Sequence, residues 1–269
     1  MNPLFARYKT GFVIVASLLA LWPVIAWYAV RIVDSSDDNF GLLALITALG
    51  FVFLKQGDYR PQAIPLISIT LLMIAYIASL FLLPPILRAA IAMTLVGILL
   101  SPIYLDKRMH LGLWGLLLLS LPVMASVQFY LGYPLRWIVG YMAEGLLQLN
   151  GLAVSHSGTQ LNWSGGAVSI DAPCSGVKML WFGFYLCFTL SCLLRLSAGR
   201  LVMLGGATFI VIVGANTLRA TALFYTESGL LAMPAWAHNG VGIVVYLIGA
   251  ISIVYCGNRL NLRSATCVA

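Results

Sequence analysis

The stretch "SIDAPCSGVKML", Ser169 to Leu180, sets an acid, a proline, a cysteine, a serine and a glycine within six consecutive positions, 171–176. It then runs on as an apolar helix with Lys178 in its first turns. A helix that only has to cross a bilayer has no use for such an opening. The stretch therefore marks a place where a membrane-spanning element begins with chemistry.

Its surroundings are mostly hydrocarbon. Of the 269 residues, 61% are hydrophobic and 9% are charged, against roughly 25% charged in soluble domains. Apolar runs long enough to cross ~30 Å of hydrocarbon recur along nearly the whole length. The pattern predicts an all-α polytopic integral membrane protein in contact with lipid. The pI near 9.3 then reads as loop charge that sets topology, which excludes a nucleic-acid surface. About eight spans are expected, at 11–33, 40–54, 63–83, 86–105, 111–131, 174–195, 201–225 and 238–257. They make one membrane domain: five N-terminal spans (1–131), an outer-face segment (132–173), three late spans (174–257) and a tail (258–269). The first apolar run, Gly11 to Val33, is too long for a cleavable signal peptide and lacks a small-residue cleavage site, so it is expected to be retained.

Loop charge orients the spans. With the N-terminus inside, Arg7, Lys9, Lys55, Arg60, Lys107, Arg108, Arg195, Arg200, Arg259 and Arg263 face the cytoplasm, and only Arg31, Arg88 and Arg136 face outward. Ten against three is the asymmetry of the positive-inside rule, and it predicts that both termini are cytoplasmic. In this orientation Cys174 begins span six, Arg219 lies about one and a half turns before span seven emerges, and His238 begins span eight, all near the outer interface.

Each of the three suits thiol chemistry. Pro173 fits a first helical position and Asp171 a nearby cap, which sets Cys174 in a first helical turn, where free N–H groups and the helix dipole favour thiolate. Lys178, four residues on, adds positive potential. Ser175 and Gly176 flank the thiol, and Gly176 leaves space for a substrate backbone. Cys187, Cys192 and Cys256 fall mid-span and read as small buried hydrophobes; Cys267 is a tail residue. No CxxC or HxxxH spacing suggests zinc, and no cofactor is implied. Arg219 within an apolar helix costs ~2.5 kcal/mol or more at the bilayer centre. Snorkelling to lipid phosphate is one account of it; the other is the polar seam of Asn216, Thr217 and Thr221 in "ANTLRAT", which turns it toward protein as an oxyanion or carboxylate partner. His238, in "AWAHNGVG", is either an interfacial histidine beside Trp236 or the general acid/base. His110 reads as a topological charge and His156 as a solvated strand residue. Ahead of the cysteine, the run from Pro134 to Gly151 reads as an interfacial amphipathic helix, and residues 152–171 as a small β-hairpin or three short strands over the outer face.

"APCSGVK", "NTLRAT" and "HNGVG", in that order at the outer ends of three consecutive late spans, resemble the exosortase/archaeosortase family of membrane transpeptidases. The resemblance implies a Cys174–Arg219–His238 site that recognises exported proteins by a C-terminal sorting signal: a short motif, a transmembrane segment and a basic tail. Cleavage through a thioester and transfer to an acceptor, with lipid and polysaccharide among the candidates, is the expected reaction. A bacterial inner membrane, with the site facing the periplasm, is the expected location. A thiol protease with water as acceptor is one alternative. Another is a transporter or polysaccharide-assembly subunit that binds an anionic substrate at Arg219; that alternative expects broken helices and midplane charge in both halves of the chain.

Overall fold

The computed structural model describes residues 15–17, 19–33, 40–54, 65–105, 109–232, 234 and 236–265. Arg7, Lys9, Lys55, Arg60, Lys107, Arg108 and Cys267 lie outside them. The chain is mostly helical and forms two compact units, divided between Val123 and Met124.

The first unit holds α1 (Trp22–Val33), α2 (Phe40–Phe53), α3 (Leu66–Leu82), α4 (Pro85–Tyr104) and α5 (Leu111–Leu119). Pro84 is extended and Pro85 takes the first position of α4, where a missing N–H costs nothing, so α3 and α4 meet in a tight corner. Ala89, Ala92, Leu95 and Leu99 line one face of α4 and are buried against Leu21 and Val24 and against Ile69 and Tyr76 of α3. The alanines allow close helix approach. His110 is buried rather than exposed as loop charge. Its Nδ1 accepts the Leu113 N–H at 3.3 Å, and its own N–H donates to Ser101 Oγ at 2.9 Å, so it caps α5.

The expected fifth span, 111–131, is not one helix. It stops at Leu119, breaks over residues 120–123 and restarts at Met124. Pro122 explains the break, because it has no N–H to donate and disfavours a helical conformation in the residue before it. The expected amphipathic helix is correspondingly longer, a single 26-residue α6 (Met124–Leu149).

The second unit continues with β1 (Ser155–Ser157), β2 (Gln160–Trp163) and β3 (Gly166–Ser169), then a 3-10 turn (Ala172–Ser175), α7 (Val177–Leu193), α8 (Ala198–Glu227) and α9 (Trp236–Ala265). The strands form an antiparallel meander in the order β1-β2-β3, with Leu161 opposite both His156 and Val168. Three strands thus stand where a hairpin or a triplet was expected. The inward residues Leu161, Val168 and Ile170 are buried with Val139, Ala143 and Leu147 of α6 and Phe224 of α8. Helices α7, α8 and α9 pack against one another, and α6 packs on α7 and α8.

Among the described residues, three helical stretches are long and apolar enough to cross a membrane: Pro85–Pro102 in α4, Ala198–Glu227 and Gly240–Leu262 in α9. Helices α2, α3 and α7 are apolar but shorter. On α9, Ile243, Leu247 and Ile251 stand exposed at four-residue spacing, an apolar face suited to lipid.

Candidate functional site

The meander delivers the chain to the cysteine. Ile170 is buried, its N–H donates to the Thr159 carbonyl at 2.8 Å, and its own carbonyl accepts from Arg136 Nη1 of α6 at 3.5 Å. The 3-10 turn follows at once. Cys174 N–H donates to the Asp171 carbonyl at 2.9 Å; the Asp171 side chain makes no capping hydrogen bond. Cys174 therefore sits before the α-helix, not in its first turn. Gly176 is the reason: its φ of +81° is left-handed, a conformation only glycine adopts cheaply, and it separates the turn from α7.

Gly176 also lets α8 come close. A Cβ there would stand 2.7 Å from Asn216 Nδ2. Asn216 is 2% exposed and donates from Nδ2 to the Cys174 carbonyl at 3.0 Å. Thr217 and Thr221, its companions in the polar seam, donate instead to carbonyls of their own helix, at 2.9 Å each. On the other flank, Ser175 Oγ donates to Gln128 Oε1 of α6 at 2.9 Å, and Gln128 Nε2 donates to the Ala172 carbonyl at 3.2 Å. A cleft no larger than a water molecule adjoins the turn, lined by Ser175, Gly176 and Asn216 and by Leu135, Val139 and Ile212, and the surface it exposes is apolar.

Burial pushes the Cys174 thiol up from its ordinary value. Arg219 pulls the other way, while the carboxylates of Glu227 and Asp171 reinforce the rise. The resting thiol is thus held protonated, opposite to what a helix N-terminus alone predicts. A thiol in this state needs a base to react at neutral pH. Arg219 lies along α9, its Nε 3.1 Å from where a Cβ on Gly242 would stand. That Nε is buried without a hydrogen-bond partner among the described residues. Position 238 lies one turn before Gly242 on α9 and shares its helical face; the His238 side chain itself lies outside the described residues. Lys178 is exposed as the second residue of α7, and left-handed Gly176 removes the four-residue helical relation to Cys174 that the sequence suggested. His156 is not the solvated strand residue expected. It packs into the space left by Gly140, edge-on to Trp137 at 5.8 Å between ring centroids, with Nε2 buried and unpartnered among the described residues. No three His, Cys, Asp or Glu side chains gather as a metal site requires, among the described residues.

The family model "Transmembrane exosortase (Exosortase_EpsH)" matches residues 10–255. The chain belongs to the transmembrane exosortase family. Membership makes it an integral membrane protein with, in general terms, a membrane transpeptidase-type role. No curated protein and no solved structure matches it. Within this exosortase, Cys174, Ser175, Gly176, Asn216 and Arg219 come together, and Asp171 stands at the edge of the group. Sequence reasoning alone misses Gln128; Gly242 closes the quoted "HNGVG", but its role as the space beside Arg219 does not show there. A signal for Gln128 is present, a polar amide in the apolar run "MASVQFYLGY", but that run reads as a plain span.

Proposed function

We propose that this exosortase cleaves the C-terminal sorting signals of exported, membrane-tethered proteins through a thioester on Cys174 and passes them to an acceptor. His238 takes the thiol proton and the thiolate attacks a peptide carbonyl, forming an S–C bond. Arg219 stabilises the oxyanion with its planar guanidinium. Collapse breaks the C–N bond, and His238 gives its proton to the leaving amine. An acceptor nucleophile, deprotonated by the same histidine, then displaces the thiol. Asn216, Ser175 and Gly176 hold the reactive turn, Asp171 tempers the thiol, and Lys178 stands near as a contact for substrate. The charge asymmetry of the loops supports both termini being cytoplasmic and the site facing the periplasm of a bacterial inner membrane, and the recurring apolar runs support about eight spans. Lipid or polysaccharide is the acceptor class.

The observation that carries this reading is the charge of Arg219 acting on a cysteine set in a polar turn outside the α-helix. The test uses membranes containing the full chain and an exported protein with a sorting signal. Cys174→Ala should insert normally and give no product, while wild type deprived of acceptor should accumulate a hydroxylamine-sensitive adduct on the peptide that carries Cys174. Normal processing by Cys174→Ala overturns the reading.

A further inference from the structure

The reactive turn is held at three points, and two of them belong to one side chain. Gln128 Oε1 accepts from Ser175 Oγ at 2.9 Å and Gln128 Nε2 donates to the Ala172 carbonyl at 3.2 Å. These contacts bracket Cys174, one residue after it and two before. Only one amide orientation satisfies both, because the Ala172 carbonyl can accept but never donate. The Ser175 hydroxyl must then donate to Gln128, and in turn it accepts the Val177 N–H at 3.4 Å. The result is a directed chain from the first residue of α7, through Ser175 and Gln128, back to the start of the turn. Ser175 is 2% exposed, so losing its acceptor leaves a buried hydroxyl unsatisfied. A carboxylate at 128 could not donate, and an ammonium could not accept. The space for the amide is provided as well: a Cβ on Gly132, one turn along α6, would stand 2.6 Å from Gln128 Nε2 and 3.1 Å from its Cδ.

We infer that Gln128 is a positioning residue for the thiol: by clamping both ends of the 172–175 turn it fixes the direction in which Cys174 is presented. This rests on Cys174 being the nucleophile, as proposed above. Asn216 holds the Cys174 carbonyl from α8, so the turn is gripped from two helices, and release of the α6 grip lets it pivot about the other.

The test uses the full chain in membranes, with Gln128→Ala and Gly132→Ala as separate variants. Gly132→Ala leaves Gln128 in the sequence and moves only the end of a flexible side chain, so it keeps the fold while opening the clamp. Both variants should lower kcat roughly 10- to 100-fold, the cost of an ångström-scale misplacement, with KM moving by no more than about twofold. Both should also shift the pH profile of Cys174 alkylation by iodoacetamide, read by mass spectrometry on the peptide that carries it. Ser175→Ala combined with Gln128→Ala should cost no more than the worse single variant, because the two side chains share one contact. A merely structural role would lower thermal stability and leave the alkylation profile of the folded protein unchanged. Wild-type kcat and alkylation profile in both single variants overturns the inference. The alkylation readout does not require Cys174 to be catalytic. Processing by Cys174→Ala would therefore remove the nucleophile assignment while the profile still decides the clamp.

Discussion

The two units use their polar side chains differently. In the first, Thr47, Ser79, Thr94, Ser101 and Ser120 each donate to a carbonyl three or four residues back along the chain. Such bonds hide a hydroxyl in an apolar helix and demand nothing of its neighbours. The second has such bonds too, at Thr217, Thr221, Thr226 and Ser252, but there Gln128, Arg136 and Asn216 also reach 34 to 47 residues along the chain to grip the segment around Cys174. Among the described residues, Cys174, Cys187, Cys192 and Cys256 also fall in the second unit. The first unit is not wholly local, since Tyr28 Oη donates to the Ser120 carbonyl at 2.8 Å and Trp114 Nε1 to Thr94 Oγ1 at 2.9 Å. Those bonds join helices; neither converges on a reactive group. Long-range polar bonds that meet at one irregular turn separate a site from a scaffold.

Two arginines put that contrast under the greatest stress. Arg88 in the first unit donates from Nε to the Leu83 carbonyl at 2.6 Å, closing the end of α3. Arg219 in the second leaves its Nε without a partner among the described residues and directs its charge at Cys174. Arg219→Lys keeps the charge and loses the planar fork, and it should lower kcat on the order of 100-fold or more, as removal of an oxyanion donor does. Arg88→Lys should stay within about twofold, the effect of a ±0.5 kcal/mol substitution away from a site. Initial processing rates at matched enzyme levels decide it. Equal losses in both variants would mean that Arg219, too, only anchors its helix.

Membrane character and the late helices were legible as long apolar runs, and Cys174, Asn216 and Arg219 each stood out as a polar or reactive residue where hydrocarbon is expected. The state of the thiol was not legible. A proline and a cysteine before an apolar run look like a helix start, and only the left-handed Gly176 shows that the helix begins three residues later. Asp171 and Glu227 lie 3 and 53 positions from Cys174 in sequence, and no spacing rule brings both to one thiol. The partial burial of His156 was hidden for the same reason. Its strand neighbours are polar, and the cavity it fills is made by Gly140 on another element.

Glycines sharpen the contrast at intermediate size. At Gly50, within α2, nothing lies within 4 Å of where a Cβ would stand, so Gly50→Ala should be neutral or raise stability by about 0.5–1 kcal/mol through helix propensity. Gly176→Ala meets two obstacles at once. A left-handed alanine costs roughly 1–2 kcal/mol, and its Cβ would stand 2.7 Å from the Asn216 amide, displacing the donor from the Cys174 carbonyl. Thermal unfolding in detergent should fall for Gly176→Ala and not for Gly50→Ala, with processing lost along with it. Unchanged stability in Gly176→Ala would mean that the turn can adopt another conformation and that its irregularity is incidental.

The smallest expected effect tests the electrostatics of the turn itself. Burial holds the Cys174 thiol protonated, Arg219 opposes it, and Glu227 and then Asp171 add to the rise. Because the thiolate is the reactive form, alkylation of Cys174 should increase with pH through values above the ordinary thiol range of about 8.5. Asp171→Asn removes one negative neighbour, so thiolate becomes easier to form and the profile should move toward lower pH, with faster alkylation at any fixed pH on its rising limb. The shift should be modest, because Asp171 is exposed and solvent screens its charge. It should also shrink further as salt is raised, whereas the part of the rise that comes from burial should persist. A shift toward higher pH in Asp171→Asn, or one insensitive to salt, would mean that Asp171 acts through the shape of the turn rather than through its charge, and the thiol would then be governed by burial, Arg219 and Glu227 without it.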